Sequence, residues 1–482
     1  MAQSQRYDAI IIGSGPNGLA AAITMIHSGR SVAVYEAADK LGGGMRSAEL
    51  TLPGFVHDVC SAVYPLAIGS PFLRSLPLAQ YGLEWVQPPS PLAHALDDGS
   101  AVMLERSLHD TAAGLGGDGA AYRRLMGPLA ESWHGLDTDL LGPLRWPRKP
   151  LALARFGLSA IRPARSFSQS CFKGQRARAL FAGLSAHSML PLEAWGSAAF
   201  GLVLATTGHV LGWPIARRGS QSLADALALY LQSKGGEIHT NTAVRTLDEL
   251  PSSRVILCDV TPKQLLALAG DRLSPNYRRR LQGYRYGMAA FKIDWALSAP
   301  VPWKAKACAR AATVHLGGTL PEIAASERAA WRGDHTENPF VLAVQPSLFD
   351  SSRTPETKHT VWTYCHVPNG STFDMTQCNE AQIERFAPGF RDTVLARSVA
   401  APAELERRNP NLIGGDINGG APTLGQLFLR PTVKLYSTSA RGLYLCSAST
   451  PPGGGVHGMC GYFAARQALR DFFNVSIKEA PG

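Results

Sequence analysis

The run Gly13-Ser14-Gly15-Pro16-Asn17-Gly18 constrains this chain more than any other feature. An apolar stretch, Ala9 to Ile12, precedes it and a helix-like stretch, Leu19 to His27, follows. A second apolar stretch, Ser31 to Tyr35, then delivers Glu36, eighteen residues after Gly18. Strand, glycine turn, helix, strand and acid in that order are the parts of a dinucleotide-binding βαβ unit. Gly13 permits the tight turn, Gly15 lets the backbone approach a pyrophosphate, and Gly18 lets the helix pack close to the strand. The helix N-terminus offers unpaired N–H groups and the positive end of its dipole to phosphate. Glu36 can accept hydrogen bonds from a ribose. This full context separates the run from a merely structural Gly-rich turn.

A chain of 482 residues, 45% apolar and 17% charged, has material for two or three globular domains. Its eight cysteines form no CxxC pair, so they read as residues of a reducing compartment rather than a disulfide framework. The opening residues run straight into the first strand, and a cytoplasmic protein without a targeting peptide is expected. The net charge of +10 is uneven: residues 140–192 hold nine Lys/Arg and no acid. Apolar residues such as Leu151, Phe156, Leu158, Phe167 and Phe172 interleave with those charges, as on an interfacial helix. The segment is either a solvated basic surface or a docking face for an anionic membrane or acidic partner. No recognised nucleic-acid module accompanies it, so nucleic acid is not an expected partner. Residues 194–216 lack Asp, Glu, Lys and Arg over 23 positions, but they contain Pro214 and four glycines. A buried helix followed by a loop fits better than a membrane span, and His209 within it reads as a core histidine.

Further along, residues 71–207 read as mostly helical, and residues 209–270 return to α/β alternation. There a helix spans Ser222 to Ser233, with Ser220 or Ser222 as candidate cap. Strands follow around Glu237 to Thr240 and Val255 to Leu257, with a turn near Pro262. Stretches 286–298 and 340–366 alternate as strands should. The chain closes on a strand, Gly442 to Cys446, a Gly-rich loop at 449–461 and a helix from Tyr462 to Phe473. The first, middle and last segments look like one domain interrupted twice by another. The expected fold is therefore α/β, with a Rossmann-type parallel-sheet domain (1–70, 208–275, 425–482) interrupted by a substrate domain of mixed β-sheet plus helices (71–207, 276–424).

Two more glycine runs sharpen the chemistry. Gly42-Gly43-Gly44-Met45-Arg46 offers bare backbone and a fork of N–H donors, as a long diphosphate cofactor would need. Gly453-Gly454-Gly455-Val456-His457-Gly458 lies between the last strand and helix, where loop N–H groups could meet a flat ring and stabilise negative charge on it. With these runs and the tail GLYLCSASTPPGGGVHGMCG, the sequence resembles the FAD-dependent phytoene desaturase and carotenoid isomerase superfamily, within the amine-oxidase-like flavoproteins. The stretches at 53–66, 216–227 and 409–420 are shared with one branch of it, and the resemblance covers essentially the whole chain.

That resemblance implies FAD as cofactor. It implies that Gly13, Ser14, Gly15, Pro16, Asn17 and Gly18 hold the diphosphate and that Glu36 binds the adenosine ribose. Gly43, Gly44, Met45 and Arg46 would meet phosphate or ribityl oxygens. Val244 would touch the adenine edge from its strand, and Gly454, Gly455 and Val456 would lie under the isoalloxazine. It also implies a helix-roofed substrate domain with an apolar tunnel, and the basic segment at 140–192 falls where such a roof belongs. A second dinucleotide fingerprint and a CxxC pair are both absent from the sequence. The flavin is therefore expected to exchange electrons directly with an apolar small-molecule substrate and to be reoxidised by dioxygen or a quinone. Candidate proton-handling residues are His57, Asp58, His457 and Lys292, each with a structural role as its alternative; no metal site is expected. In amine-oxidase-like relatives a strand lysine holds a water against flavin N5, and Lys292 lies on such a strand. The leading expectation is a desaturase working on C–C and C=C bonds of an isoprenoid or polyene-like substrate. A redox-neutral isomerase, an amine or small-molecule oxidase and a non-catalytic flavoprotein partner stand as alternatives.

Overall fold

The computed structural model describes residues 7–476; the reading of the first six residues as free of a leader lies outside them. The chain begins with β1 (Tyr7–Ile12), α1 (Pro16–His27) and β2 (Val32–Tyr35). A small hairpin, β3 (Ser47–Glu49) and β4 (Val56–Asp58), follows, and a second is formed by β5 (Ser90–Ala95) and β6 (Ala101–Leu104). Next come α2 (Pro150–Ala160), α3 (Ala164–Cys171), α4 (Gln175–Ala186), α5 (Ser197–Val210) and α6 (Gln221–Ser233). β7 (Glu237–His239), β8 (Ser253–Cys258) and α7 (Pro262–Ala269) precede four further strands. These are β9 (Ala289–Leu297), β10 (Ala311–Leu316), β11 (Val341–Val344) and β12 (His359–Val367), and β13 (Val394–Ala400) follows. The main elements end with β14 (Leu443–Leu445) and α8 (Met459–Phe473).

Two sheets organise these elements. The first has the order β14-β8-β1-β2-β7 and every pairing in it is parallel. Its strands are short apolar runs because helices cover both faces: α1, α6 and α8 on one side and α7 on the other. α1 and α8 touch closely, since a Cβ at Gly461 would stand 1.8 Å from the carbonyl oxygen of Asn17. The second sheet, β13-β9-β12-β11-β10-β5-β6, is mixed, with β5 and β10 its parallel pair. One face of it, with Phe291, Ile293, Trp295, Ala343 and Val361, packs into its own apolar core. The opposite face carries Lys292, Asp294, Trp362, Tyr364, Leu342, Val344, Thr313 and His315, which share parity along their strands.

Several local expectations are corrected. The region 71–207 is mostly helical, as expected, but the strands β5 and β6 also lie within it and extend the mixed sheet. Their turn is Asp97-Asp98-Gly99-Ser100, with Gly99 at φ 79°, a conformation that favours glycine. Pro262 starts a helix rather than a turn, because Thr261 and Gln264 form a capping box around its first turn. Neither serine caps α6. Ser220 Oγ donates to the Ser61 carbonyl at 2.6 Å, and Ser222 Oγ donates to that of Gly219 at 2.8 Å. The basic segment is three helices, of which α4 is largely buried. Some of its charges hold local structure: Arg176 donates to the Ala101 carbonyl, Arg178 to that of Phe172, and Arg165 pairs with Glu193.

Candidate cofactor and substrate site

The strand–turn–helix at the N-terminus forms because of its glycines. Gly13 sits at φ 94°, and its N–H donates to the Tyr35 carbonyl at 2.8 Å. A Cβ at Gly18 would stand 2.1 Å from the Gly13 carbonyl oxygen, which is the close helix–strand approach the sequence predicts. Glu36 is aimed back at this loop. Its carboxylate accepts from the Ser14 N–H at 2.9 Å, the Ser14 hydroxyl at 2.5 Å and the Ala38 N–H at 2.9 Å. The second glycine run packs onto the first, so that a Cβ at Gly43 would lie 3.2 Å from Gly15 Cα. Arg46 Nε donates to the Gly43 carbonyl at 2.9 Å, and its Nη2 donates to the Arg408 carbonyl.

A single cavity of about 920 Å³ joins these parts. One end is walled by Glu36, Val244 and Gln264, the middle by Ser14, Gly15, Gly43, Arg46 and Asn411, and the next stretch by Ser447, Gly455 and Val456. It continues into a chamber over the mixed sheet, lined by Leu342, Val344, Trp362 and Tyr364 with Leu204, Trp213 and His187. Of the predicted cofactor residues, Gly13, Ser14, Gly15, Pro16, Asn17, Glu36, Gly43, Gly44, Arg46, Val244, Gly455 and Val456 line this cavity. Gly18, Met45 and Gly454 do not. Gly18 gives its N–H to Asp259 at 2.9 Å, Met45 is fully buried in the core under α1 and α6, and Gly454 packs against Asn418. Val244 reaches the cavity from the irregular chain after β7, not from a strand.

Four predicted proton-handling residues lie off the lining. Asp58 Oδ1 accepts from the Ser47 hydroxyl and the Ser220 N–H, both at 2.8 Å, and its Oδ2 pairs with Arg353 at 3.0 Å. His457 Nδ1 accepts the Met459 N–H at 3.0 Å and so caps the start of α8. His57 and Lys292 meet at Asp294: Lys292 Nζ is ion-paired with Asp294 Oδ1, and His57 Nδ1 is 3.6 Å from the same oxygen. Burial lowers the His57 ring to about 4, although Asp294 opposes the shift. Lys292 shares its face of the sheet with Tyr364, its partner in register, and its Nζ sits 5.4 Å from the centre of the Trp362 ring. Both aromatics line the chamber.

Sequence reasoning missed Asp259. Placed at the end of β8, it lines the cavity and accepts the Gly18 N–H, and burial pushes its carboxyl up to about 7. Asn411, whose side chain donates to the Asp259 carbonyl at 2.8 Å, was also missed as a site residue.

The cavity fits FAD. Asn17 Oδ1, Arg408 Nη1 and Asn418 Nδ2 are buried without partners, and all three residues line it. Unpaired polar atoms of this kind call for a polar ligand. The Gly13–Gly18 and Gly43 backbones leave the close approach that a diphosphate requires, and one cavity is lined by Glu36 and by residues of all three glycine runs.

Comparisons with known proteins agree with this geometry. Residues 11–73 match the model of the NAD(P)-binding Rossmann-like domain. The chain is 27% identical to pyridine nucleotide-disulfide oxidoreductase domain-containing protein 2 of Mus musculus, covering 97% of this chain and 94% of the relative. It is 25% identical to phytoene desaturase (neurosporene-forming) of Rhodobacter capsulatus, over 94% of this chain and 92% of the relative. A putrescine oxidase structure has the same fold, with a TM-score of 0.62 at 15% identity, covering 98% of this chain and 100% of that one. The fingerprint, the cradle and these likenesses make the chain an FAD-dependent oxidoreductase, homologous over 97% of its length to pyridine nucleotide-disulfide oxidoreductase domain-containing protein 2.

Proposed function

We propose that this flavoenzyme is of the desaturase type and oxidises a C–C bond of an apolar, isoprenoid-like small molecule. The observation that supports this most is the chamber beyond Gly455 and Val456, walled by Leu204, Trp213, Leu342, Val344, Trp362 and Tyr364. Such walls desolvate and orient a hydrocarbon skeleton. On this reading Glu36 orients a ribose, Ser14, Gly15 and Arg46 hold a diphosphate, and Ser447, Gly455 and Val456 face the ring. When bound, the flavin supplies a hydride acceptor. On this reading Lys292, held by Asp294 beside the Trp362 ring just behind the lining, holds a water or a proton that reaches the chamber between Trp362 and Tyr364, and His57 stays neutral behind it. Dioxygen or a quinone would serve as the electron acceptor. Anaerobic incubation with fractionated cellular lipids should bleach the flavin, whereas amines should not. Bleaching by amines alone would replace this reading with an amine oxidase, and activity only after prior flavin reduction would replace it with an isomerase.

We also propose that the 140–192 segment gives peripheral contact with anionic lipid. Trp146, Leu151 and Leu158 are 88%, 87% and 77% exposed there, among nine basic residues. Among the described residues no helix is long and apolar enough to cross a membrane. Co-sedimentation with phosphatidylserine vesicles that high salt reverses is the expected result. Equal binding to neutral vesicles would refute the electrostatic part.

A further inference from the structure

The chamber is not uniformly apolar. Along the sheet beneath it, register places His94 beside His315, His315 beside Leu342, and Leu342 beside Tyr364, and the last two of these line the chamber. α4 covers the histidine end, and His187, the residue just past its last turn, lines the chamber. His187 Nε2 is 2.9 Å from His315 Nε2, and His94 Nε2 is 2.8 Å from the Gly318 carbonyl oxygen.

A proton count orders these rings. A carbonyl can only accept, so His94 carries its hydrogen on Nε2 and its Nδ1 is a bare lone pair. Burial holds all three rings well below ordinary histidine, hence neutral. In the His187–His315 contact, one nitrogen donates and the other accepts. His315 Nδ1 is buried without a partner, and a Cβ built on Gly183 would lie 2.5 Å from it. A hydrogen there would be an orphaned donor, which folded proteins avoid more strictly than an orphaned lone pair. The hydrogen therefore sits on His315 Nε2 and is donated to His187 Nε2. His187 is left with its hydrogen on Nδ1, and no protein acceptor meets that N–H among the described residues. Two further polar atoms of the lining residues, Thr313 Oγ1 and Trp362 Nε1, are also buried without partners. The indole nitrogen can only donate.

We propose that the substrate is not a plain hydrocarbon but carries an oxygen acceptor, a carbonyl or hydroxyl, on its apolar skeleton, and that His187 is the residue that recognises it, with Thr313 and Trp362 in the adjoining row of the same sheet face. This rests on the reading of the chamber as the substrate site. A bare hydrocarbon would leave the donors unpaired, whereas a matching oxygen satisfies them.

The test uses the FAD-loaded protein and two probes of one skeleton, the aldehyde farnesal and the hydrocarbon farnesene, titrated by their perturbation of the flavin spectrum. Wild type should bind farnesal about tenfold tighter than farnesene. His187→Phe should bring that ratio to about one, chiefly by losing farnesal affinity, with retained FAD content and an unchanged melting midpoint as the folding control, and His187→Gln should restore part of it. Trp362→Phe, which keeps the ring and removes the donor, should lower the ratio on its own. Equal affinities in wild type, or a ratio that survives His187→Phe and Trp362→Phe, would overturn the proposal while leaving the chamber as an apolar site. If neither probe perturbs the flavin, the chamber reading fails and this proposal fails with it.

Discussion

Asp58 separates structural from catalytic readings of the site most sharply. Asp58, Arg353 and Asp350 are all 0% exposed, and they tie the β3–β4 hairpin to the loop before β12. Asp58→Asn keeps the size, and the amide oxygen can still accept from the Ser47 hydroxyl and the Ser220 N–H. The amide nitrogen, however, then faces Arg353 Nη1, donor against donor, where an ion pair of 3.0 Å stood. Breaking a buried pair costs about 3 to 5 kcal/mol because the remaining charge is stranded. Arg353 keeps Asp350 at 3.0 Å and the Ala216 carbonyl at 3.1 Å, which places the expected loss near the lower end, about 3 kcal/mol. Urea unfolding followed by tryptophan fluorescence measures it. The double variant with Arg353→Met should lose less than the sum of the two single changes, by at least about 1 kcal/mol. An unchanged unfolding midpoint for Asp58→Asn, or strict additivity in the double variant, would refute the anchoring role.

Gly461→Val should abolish stable folding or FAD retention, because its Cβ would stand 1.8 Å from the Asn17 carbonyl; full flavin content in this variant would contradict the α1–α8 packing. Burial raises the Asp259 carboxyl from 3.8 to about 7. The folded chain therefore holds a proton the unfolded chain has lost, so this group's contribution is fully present below 3.8 and disappears as pH rises through about 7. Melting curves of the FAD-free protein across that window should fall less steeply in Asp259→Asn than in wild type; parallel curves would remove Asp259 as the cause. Lys292→Met should slow flavin reduction by about a hundredfold with little change in ligand affinity. A rate like that of wild type would make the lysine merely structural.

The cradle was legible in the sequence because its geometry excludes side chains. Gly13 needs a positive φ and Gly18 needs a missing Cβ, and both demands mark the residues themselves. Asp259 left no comparable mark. It reaches the Gly18 N–H only because β8 lies beside β1 in the sheet, an adjacency that local pattern does not encode. Asp58 and His457 looked available as isolated polar residues; their partners, Arg353 and the Met459 N–H, appear only once the chain is folded. The β5–β6 hairpin did carry a turn signal in Asp98-Gly99, but its small and mixed residues blurred the period of two. The histidine row is a product of register: His94 and His315 meet because β5 and β10 pair in parallel, and α4 then sets His187 above them.

The most direct test of the central claim is the identity and stoichiometry of the dinucleotide released on denaturing the purified, reconstituted protein, read by mass spectrometry. FAD at one equivalent per chain is the predicted result. A nicotinamide dinucleotide in its place, or no retained FAD after reconstitution, would contradict the account.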